Sequence, residues 1–183
     1  MRSFLGATII ALTFVFLAMA DQRDPRLDPL FEELKTAASV TDARYIEREI
    51  WGIWSEHGAD VEAEMRFNEG LLLMNAGQLE QAIRLFSIVI DVAPEFAEAW
   101  NKRATLLYFT GDYAGSVRDI ERTLALEPRH FGALSGLGLI YQQLESPDGA
   151  IKAFRAALDI NPHMPHIKER LDMLMEAKAG KPL

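Results

Sequence analysis

The chain contains no cysteine. Disulfides, thiolate metal sites and a lipid-modified cysteine are therefore excluded, and stability must come from packed helices alone. A basic excess is missing too, since 19 Lys and Arg stand against 27 Asp and Glu. Nucleic-acid binding depends on neutralising phosphates with cations. The net charge of −8 opposes it, and no basic stripe appears. G-x-S-x-G, H-E-x-x-H and Walker patterns do not occur. Gly132, Gly136 and Gly138 follow no strand, so they read as close helix packing rather than a phosphate loop. The many carboxylates read as a charge-rich helical surface. No enzymatic activity and no cofactor are expected. There is no long linker and no low-complexity segment.

What is present begins with a leader. Arg2 precedes residues 3–20, which carry no charge and are mostly apolar, and Ala18-Met19-Ala20 closes them. A positive start, an apolar run and an A-x-A site make a secretory signal peptide over residues 1–20, cleaved after Ala20. The alternative is an uncleaved anchor over residues 4–20, because the run just reaches the roughly 17–25 residues of a spanning helix. Cleavage removes Arg2 as the only charged residue and takes the net charge from −8 to −9.

The rest of the chain is organised by a period. Pro94, Pro128 and Pro162 recur every 34 residues, and their surroundings recur with them, giving units at 63–96, 97–130 and 131–164. Proline lacks an amide hydrogen and disfavours helix in the residue before it, so each one ends a second helix. Gly77 and Gly111 stand where a left-handed residue caps the first helix. In the third unit Glu145 replaces that glycine, and Ser146-Pro147 supplies a helix start. Gly70, Ala104 and Gly138 share one phase, and Ala82, Ser116 and Ala150 another, where small residues let two helices approach. Phe86, Ile120 and Phe154 share a third phase, expected to fill the space between successive hairpins.

A helix–turn–helix unit of about 34 residues resembles the tetratricopeptide repeat family. The third unit carries the family pattern nearly complete, as Leu134, Leu137, Gly138, Tyr141, Ala150, Phe154, Ala157 and Pro162. The second keeps Trp100 but has Arg103 and Leu107 where leucine and tyrosine are usual. The first has Arg66 and Glu69 at apolar places. The resemblance implies an all-α solenoid whose first helices line a concave groove that binds a protein or peptide. The family's groove places fall on Phe67, Leu71 and Met74, then Asn101, Thr105, Tyr108 and Phe109, then Ser135, Leu139 and Gln142. A clamp for a terminal carboxylate is not expected, because Phe67, Leu71, Gly132 and Gly136 replace its basic and amide residues. The alternatives are that Phe67, Leu71 and Tyr108 pack internally, or that the chain's own N-terminal segment fills the groove.

Residues 21–60 precede the array. The stretch 21–26 reads as a short flexible start. Leu27, Leu30, Phe31 and Leu34 form one apolar helical stripe, Thr41-Asp42 a helix start, and Ile46, Ile50, Trp51, Ile53 and Trp54 a second stripe ending near Gly58. This hairpin aligns as a degenerate repeat, with Ile46, Ile50 and Ile53 at the Ala, Phe and Ala places, and is expected to cap the array. The array and a last helix, striped with Ile167, Leu171, Leu174 and Met175, occupy 61–178, with a tail at 179–183. His163 and His166, with Glu169 beyond, suggest a metal site only weakly. Zinc normally takes three or four protein ligands, and these residues also form the turn into the last helix.

Three functions remain open from the sequence. The first is a periplasmic adaptor, where the placement follows from resemblance to small exported bacterial repeat proteins. The second is an assembly factor anchored in the inner membrane by residues 4–20, and the third a metal carrier or enzyme. The leader generates the first test. Protein recovered from an exporting host should begin at Asp21, as read by intact mass. Recovery of the whole 20.5 kDa chain from the membrane fraction would establish the anchor instead.

Overall fold

The computed structural model describes residues 22–56 and 60–180. Among them are nine helices and no strand. The order is α1 (Leu27–Thr36), α2 (Val40–Ser55), α3 (Val61–Asn75), α4 (Leu79–Val92), α5 (Ala97–Phe109), α6 (Tyr113–Leu126), α7 (Phe131–Gln143), α8 (Pro147–Ile160) and α9 (Pro165–Lys178). The all-α expectation holds. None of these helices is long and apolar enough to cross a membrane. The leader at 1–20, the anchor alternative at 4–20 and Gly58 lie outside the described residues.

Local chemistry sets the helix ends. Asp60 caps α3 by accepting from the amides of Glu62 and Ala63, and Asp112 caps α6 through Gly115. Ser39 caps α2 through Asp42, two residues earlier than the Thr41-Asp42 signal suggested. Each of these side chains satisfies donors that the first turn of a helix leaves unpaired. Gly77 and Gly111 adopt φ of +72° and +84°. Glu145 takes the same left-handed turn at φ +53°, with Pro147 in the first turn of the next helix.

Three hairpins, α3–α4, α5–α6 and α7–α8, stack in succession, and α9 packs on α8. The small residues act where expected. A Cβ on Gly70 would meet the Phe86 ring at 2.9 Å, and one on Gly138 would strike the Phe154 ring. Phe86 and Phe154 thus lie against their own hairpins, and they also share clusters onward, Phe86 with Ala99 and Leu106 of the next hairpin and Phe154 with Ile167 and Leu171 of α9, as expected for that phase. Ile120 likewise reaches the following hairpin, 3.7 Å from the Cβ position of Gly136. Arg103, standing at a leucine place, is matched by tertiary partners. It donates to both oxygens of buried Asp119, at 2.7 and 2.8 Å, and to Ser87 Oγ at 3.0 Å, tying α5 to α6 and α4. On α9, Ile167 and Leu171 are buried, but Met175 of the expected stripe is exposed.

The N-terminal hairpin departs from the expectation of a cap. It does not stack on α3–α4 but lies along the row of turns between units. Gln22 Nε2 donates to the Glu95 carbonyl at 2.7 Å in the first turn. Arg129 of the second turn pairs with Asp28 at 2.6 Å. Asn161 of the third donates to Glu47 at 2.5 Å. Leu27, Phe31, Leu34, Ile50, Ile53 and Trp54 of the hairpin share one apolar cluster with Phe131, Ile160 and Met164 of the array. The short stretch before α1 is anchored rather than free, with Gln22 and Asp24 buried. Asp24 accepts from the amide and guanidinium of Arg26, which hold its carboxyl below the usual range.

The repeat phase generates a stability test. Ala82 and Ala150 are fully buried, so Ala82→Leu or Ala150→Leu should overpack its hairpin and cost about 1–3 kcal/mol. Urea unfolding measures this, and unchanged midpoints for both variants would contradict the packing described.

Candidate functional site

Between the first helices of the second and third hairpins, α5 and α7, lies a cleft of about 190 Å³. Its floor is built from small residues, Ala104, Ser116, Gly132, Ala133 and Gly136, with Ile120 below. Asn101, Thr105, Tyr108 and Phe109 form the α5 wall, and Ser135 and Leu139 the α7 wall. Six of the ten groove residues read from the sequence therefore meet around one opening. Phe109 is 64% exposed at its lip. Tyr108 is half-buried and packs its ring near Phe109 and Tyr113. The hydroxyls are turned inward. Thr105 donates to the Asn101 carbonyl, Ser116 to that of Ala104 and Ser135 to that of Gly132. Their oxygens are left as acceptors.

The other four residues lie elsewhere. Phe67 is wholly buried against Phe86 and Phe96, so it belongs to the core and presents nothing to a partner. Leu71 and Met74 are half-buried against the same cluster. Gln142 accepts from Arg170 of α9 at 3.3 Å and stands apart from the cleft. His163 begins the turn into α9, with its amide bonded to Asn161 Oδ1. Among the described residues, no three His, Cys, Asp or Glu side chains come together as metal ligands.

At one end of the cleft the hairpin covers a buried polar cluster. Glu98 of α5 and His130, which caps α7, both have fully buried side chains. His130 Nδ1 accepts from the Ala133 amide at 3.0 Å, which leaves the ring proton on Nε2. Nε2 then donates to Glu98 Oε2 at 2.9 Å, and Asn101 Nδ2 donates to the same oxygen at 2.9 Å. Lys102 Nζ stands 2.7 Å from Oε1, close enough for an ion pair although the angle falls short of a hydrogen bond. Burial pushes the Glu98 carboxyl up, but the Lys102 charge and the His130 hydrogen bond outweigh it and hold the group below the usual carboxylate range. Two tryptophans of α2 close the cluster. Trp54 stacks on His130 at 4.2 Å, and Trp51 lies 5.0 Å from the Lys102 ammonium.

Trp51 also explains Gly132, where a Cβ would come within 2.6 Å of the indole. Beyond it lies a second recess, walled by Arg44, Glu47 and Trp51 of α2 and by His163, His166 and Ile167. It shares Gly132 and Ser135 with the cleft, so the two adjoin. The sequence offered little access to Glu98, Lys102 and His130. Their only local signal was the Glu98–Lys102 spacing of four on one helix, because His130 meets Glu98 across 32 residues.

The Glu98 cluster generates a pH prediction. A carboxyl held below its ordinary value of 4.5 contributes stability that is complete above that value. The contribution is lost as the pH falls through the lower folded value. Glu98→Gln should therefore destabilise the protein at neutral pH by about 1.5–3 kcal/mol. The gap to the unaltered chain should narrow as the pH is lowered from about 5 to about 3. Urea midpoints across that range decide it, and a constant gap would mean that the charge on Glu98 carries none of the stability.

Comparison with known proteins agrees with this architecture. A family model described as tetratricopeptide repeat matches residues 67–108 and 101–165. A TPR repeat-containing protein of Rhizobium etli is 36% identical over 156 residues, covering 85% of this chain and 76% of that protein. Tetratricopeptide repeat protein 36 of Bos taurus is 40% identical over 58 residues, 32% of this chain and 31% of that one. Among solved structures, the first TPR domain of Spaghetti (RPAP3), bound to an HSP90 peptide, superposes with a TM-score of 0.61. It is 20% identical, over 64% of this chain and 93% of that one. The Sgt2 TPR domain from Aspergillus fumigatus also reaches 0.61, at 22% identity, over 68% and 87%.

Proposed function

The chain belongs to the tetratricopeptide repeat family, and we propose that it is an adaptor of the bacterial cell envelope that holds an extended segment of another protein between α5 and α7. One observation carries this reading. The α5–α7 cleft stays open and apolar at its lip, while the N-terminal hairpin covers only the adjoining end. The family's fold suits protein or peptide binding, and the structurally similar Spaghetti domain was solved with a peptide. The cleft's chemistry sets what fits. Phe109, Tyr108 and Leu139 suit apolar side chains, and the oxygens of Thr105 and Ser135 suit backbone N–H donors. Lys102 is occupied by Glu98, so a carboxylate clamp gains no support.

The envelope placement draws on the leader at residues 1–20 and on the bacterial source of the Rhizobium etli relative. The uncharged run supports a second placement, with residues 4–20 retained as an inner-membrane anchor and the same cleft facing the periplasm. A catalytic role gains no support from the cleft, where the hydroxyls of Thr105, Ser116 and Ser135 donate to backbone carbonyls rather than to a base.

The test uses a partner captured from envelope extract and reduced to its binding segment. Phe109→Ala should weaken binding of that segment about thirtyfold, the equivalent of roughly 2 kcal/mol for a central aromatic. Its melting temperature should not move, since the ring is mostly in water. Tyr108→Ala should lower both binding and melting temperature, because its ring also packs on Tyr113. Unchanged binding in both variants would remove the cleft as the working surface.

A further inference from the structure

Among the described residues, no hairpin stacks on the outer side of α3 at the start of the array. In the second and third units, two phases of the first helix are buried against the preceding hairpin. Ala99 and Ala133 occupy one, at 0% and 1% exposure, and Leu106 and Ile140 the other, both at 0%. One period earlier stand Met65 and Leu72, 69% and 70% exposed. Val61 continues the row and is exposed as well. These are stacking positions that have kept apolar side chains although, among the described residues, no hairpin stacks on them. The hairpin α1–α2, which could have covered them, is committed to the turns between units. Terminal repeats of a solenoid normally turn a polar face to water, whereas here Val61, Met65 and Leu72 stand exposed among Glu62, Asn68 and Glu69.

We infer that this face is an interface between two copies of the chain, with α3 packed antiparallel on α3 about a twofold axis. A twofold contact requires a patch complementary to itself, and the α3 row has that property. Val61, Met65, Asn68 and Leu72 are spaced by four, three and four residues. The spacing reads the same in both directions about the helix midpoint between Arg66 and Phe67. Antiparallel pairing therefore sets Val61 against Leu72 of the second copy, and Met65 against its Asn68.

The charges agree with that register. Arg66 lies at one edge of the row, bonded to Glu62 of its own helix at 2.7 Å, and Glu69 lies on the same edge. At a rise of about 1.5 Å per residue, Arg66 falls about 3 Å along the axis from Glu69 of the second copy. Each guanidinium then bridges a carboxylate of its own helix and one across the interface. Head-to-tail stacking fits less well, because α9 at the other end, although it exposes Met173 and Met175, surrounds them with Lys168, Glu169, Asp172 and Glu176. One helix face is smaller than the roughly 800 Å² per partner of a standard interface, so the dimer is to be sought over a micromolar concentration range.

This inference is independent of the cleft, which lies on other helices. Sedimentation equilibrium on protein purified from an exporting host, across a micromolar to sub-millimolar series, should show the mass rising from monomer to dimer. Leu72→Glu should weaken dimerisation at least tenfold with helical circular dichroism unchanged. Arg66→Glu should also weaken it, and Arg66→Glu combined with Glu69→Arg should restore it. Because the chain has no cysteine, Met65→Cys with Asn68→Cys offers a direct reading of register, with oxidation joining two copies. A monomer throughout the series would overturn the inference. So would a dimer indifferent to both Leu72→Glu and the charge exchange, which would place the contact on another surface.

Discussion

No hairpin in this chain can bury its apolar faces alone. Each first helix is apolar on the side that meets its partner helix and again on the side that meets the preceding unit. Leu106 and Ile140 reach zero exposure because a neighbour supplies the missing wall. Phe67, Phe86 and Phe96 close the first interval in the same way, joined in one cluster with Ala99 and Leu106 of the second unit. Without cysteine to staple small pieces together, the array depends on this mutual burial. The open face of α3 and the placement of the N-terminal hairpin are two consequences of that one requirement.

The hairpin meets the requirement differently from the repeats. Its stripe of Leu27, Phe31, Ile50 and Trp54 finds its wall along the turns that join units rather than at the end of the stack. One contact on each of three turns, through Gln22, Asp28 and Glu47, fixes its course. A strap of this kind links all three units directly, so their relative positions are held by the hairpin as well as by neighbour-to-neighbour packing.

Beneath the strap sits a buried carboxylate. Taking Glu98 out of water is costly, and the cost is offset only because Asn101, His130 and Lys102 all converge on it. Removing a single partner leaves the others uncompensated. The same cluster divides the concave face. It consumes Lys102 and Asn101, which line the groove side of α5, and leaves Tyr108, Phe109 and Leu139 for a ligand.

The sequence by itself determined the period, the helices and most of their ends. Proline at every thirty-fourth position, caps such as Asp60 and Asp112, and small residues at Gly70 and Gly138 act over a few residues or within one hairpin. Their meaning can therefore be read locally. The tertiary structure alone decided where the N-terminal hairpin docks, since an apolar stripe says which side is buried but not against what. It alone joined His130 to Glu98 and set Trp51 over Gly132, because those contacts cross from one unit or segment to another. It also separated Phe67 from Phe109, two aromatics that both fall at groove-facing phases. The neighbouring rings of Phe86 and Phe96 draw Phe67 into the core, whereas Phe109, the last residue of α5, stands in water at the lip of the cleft.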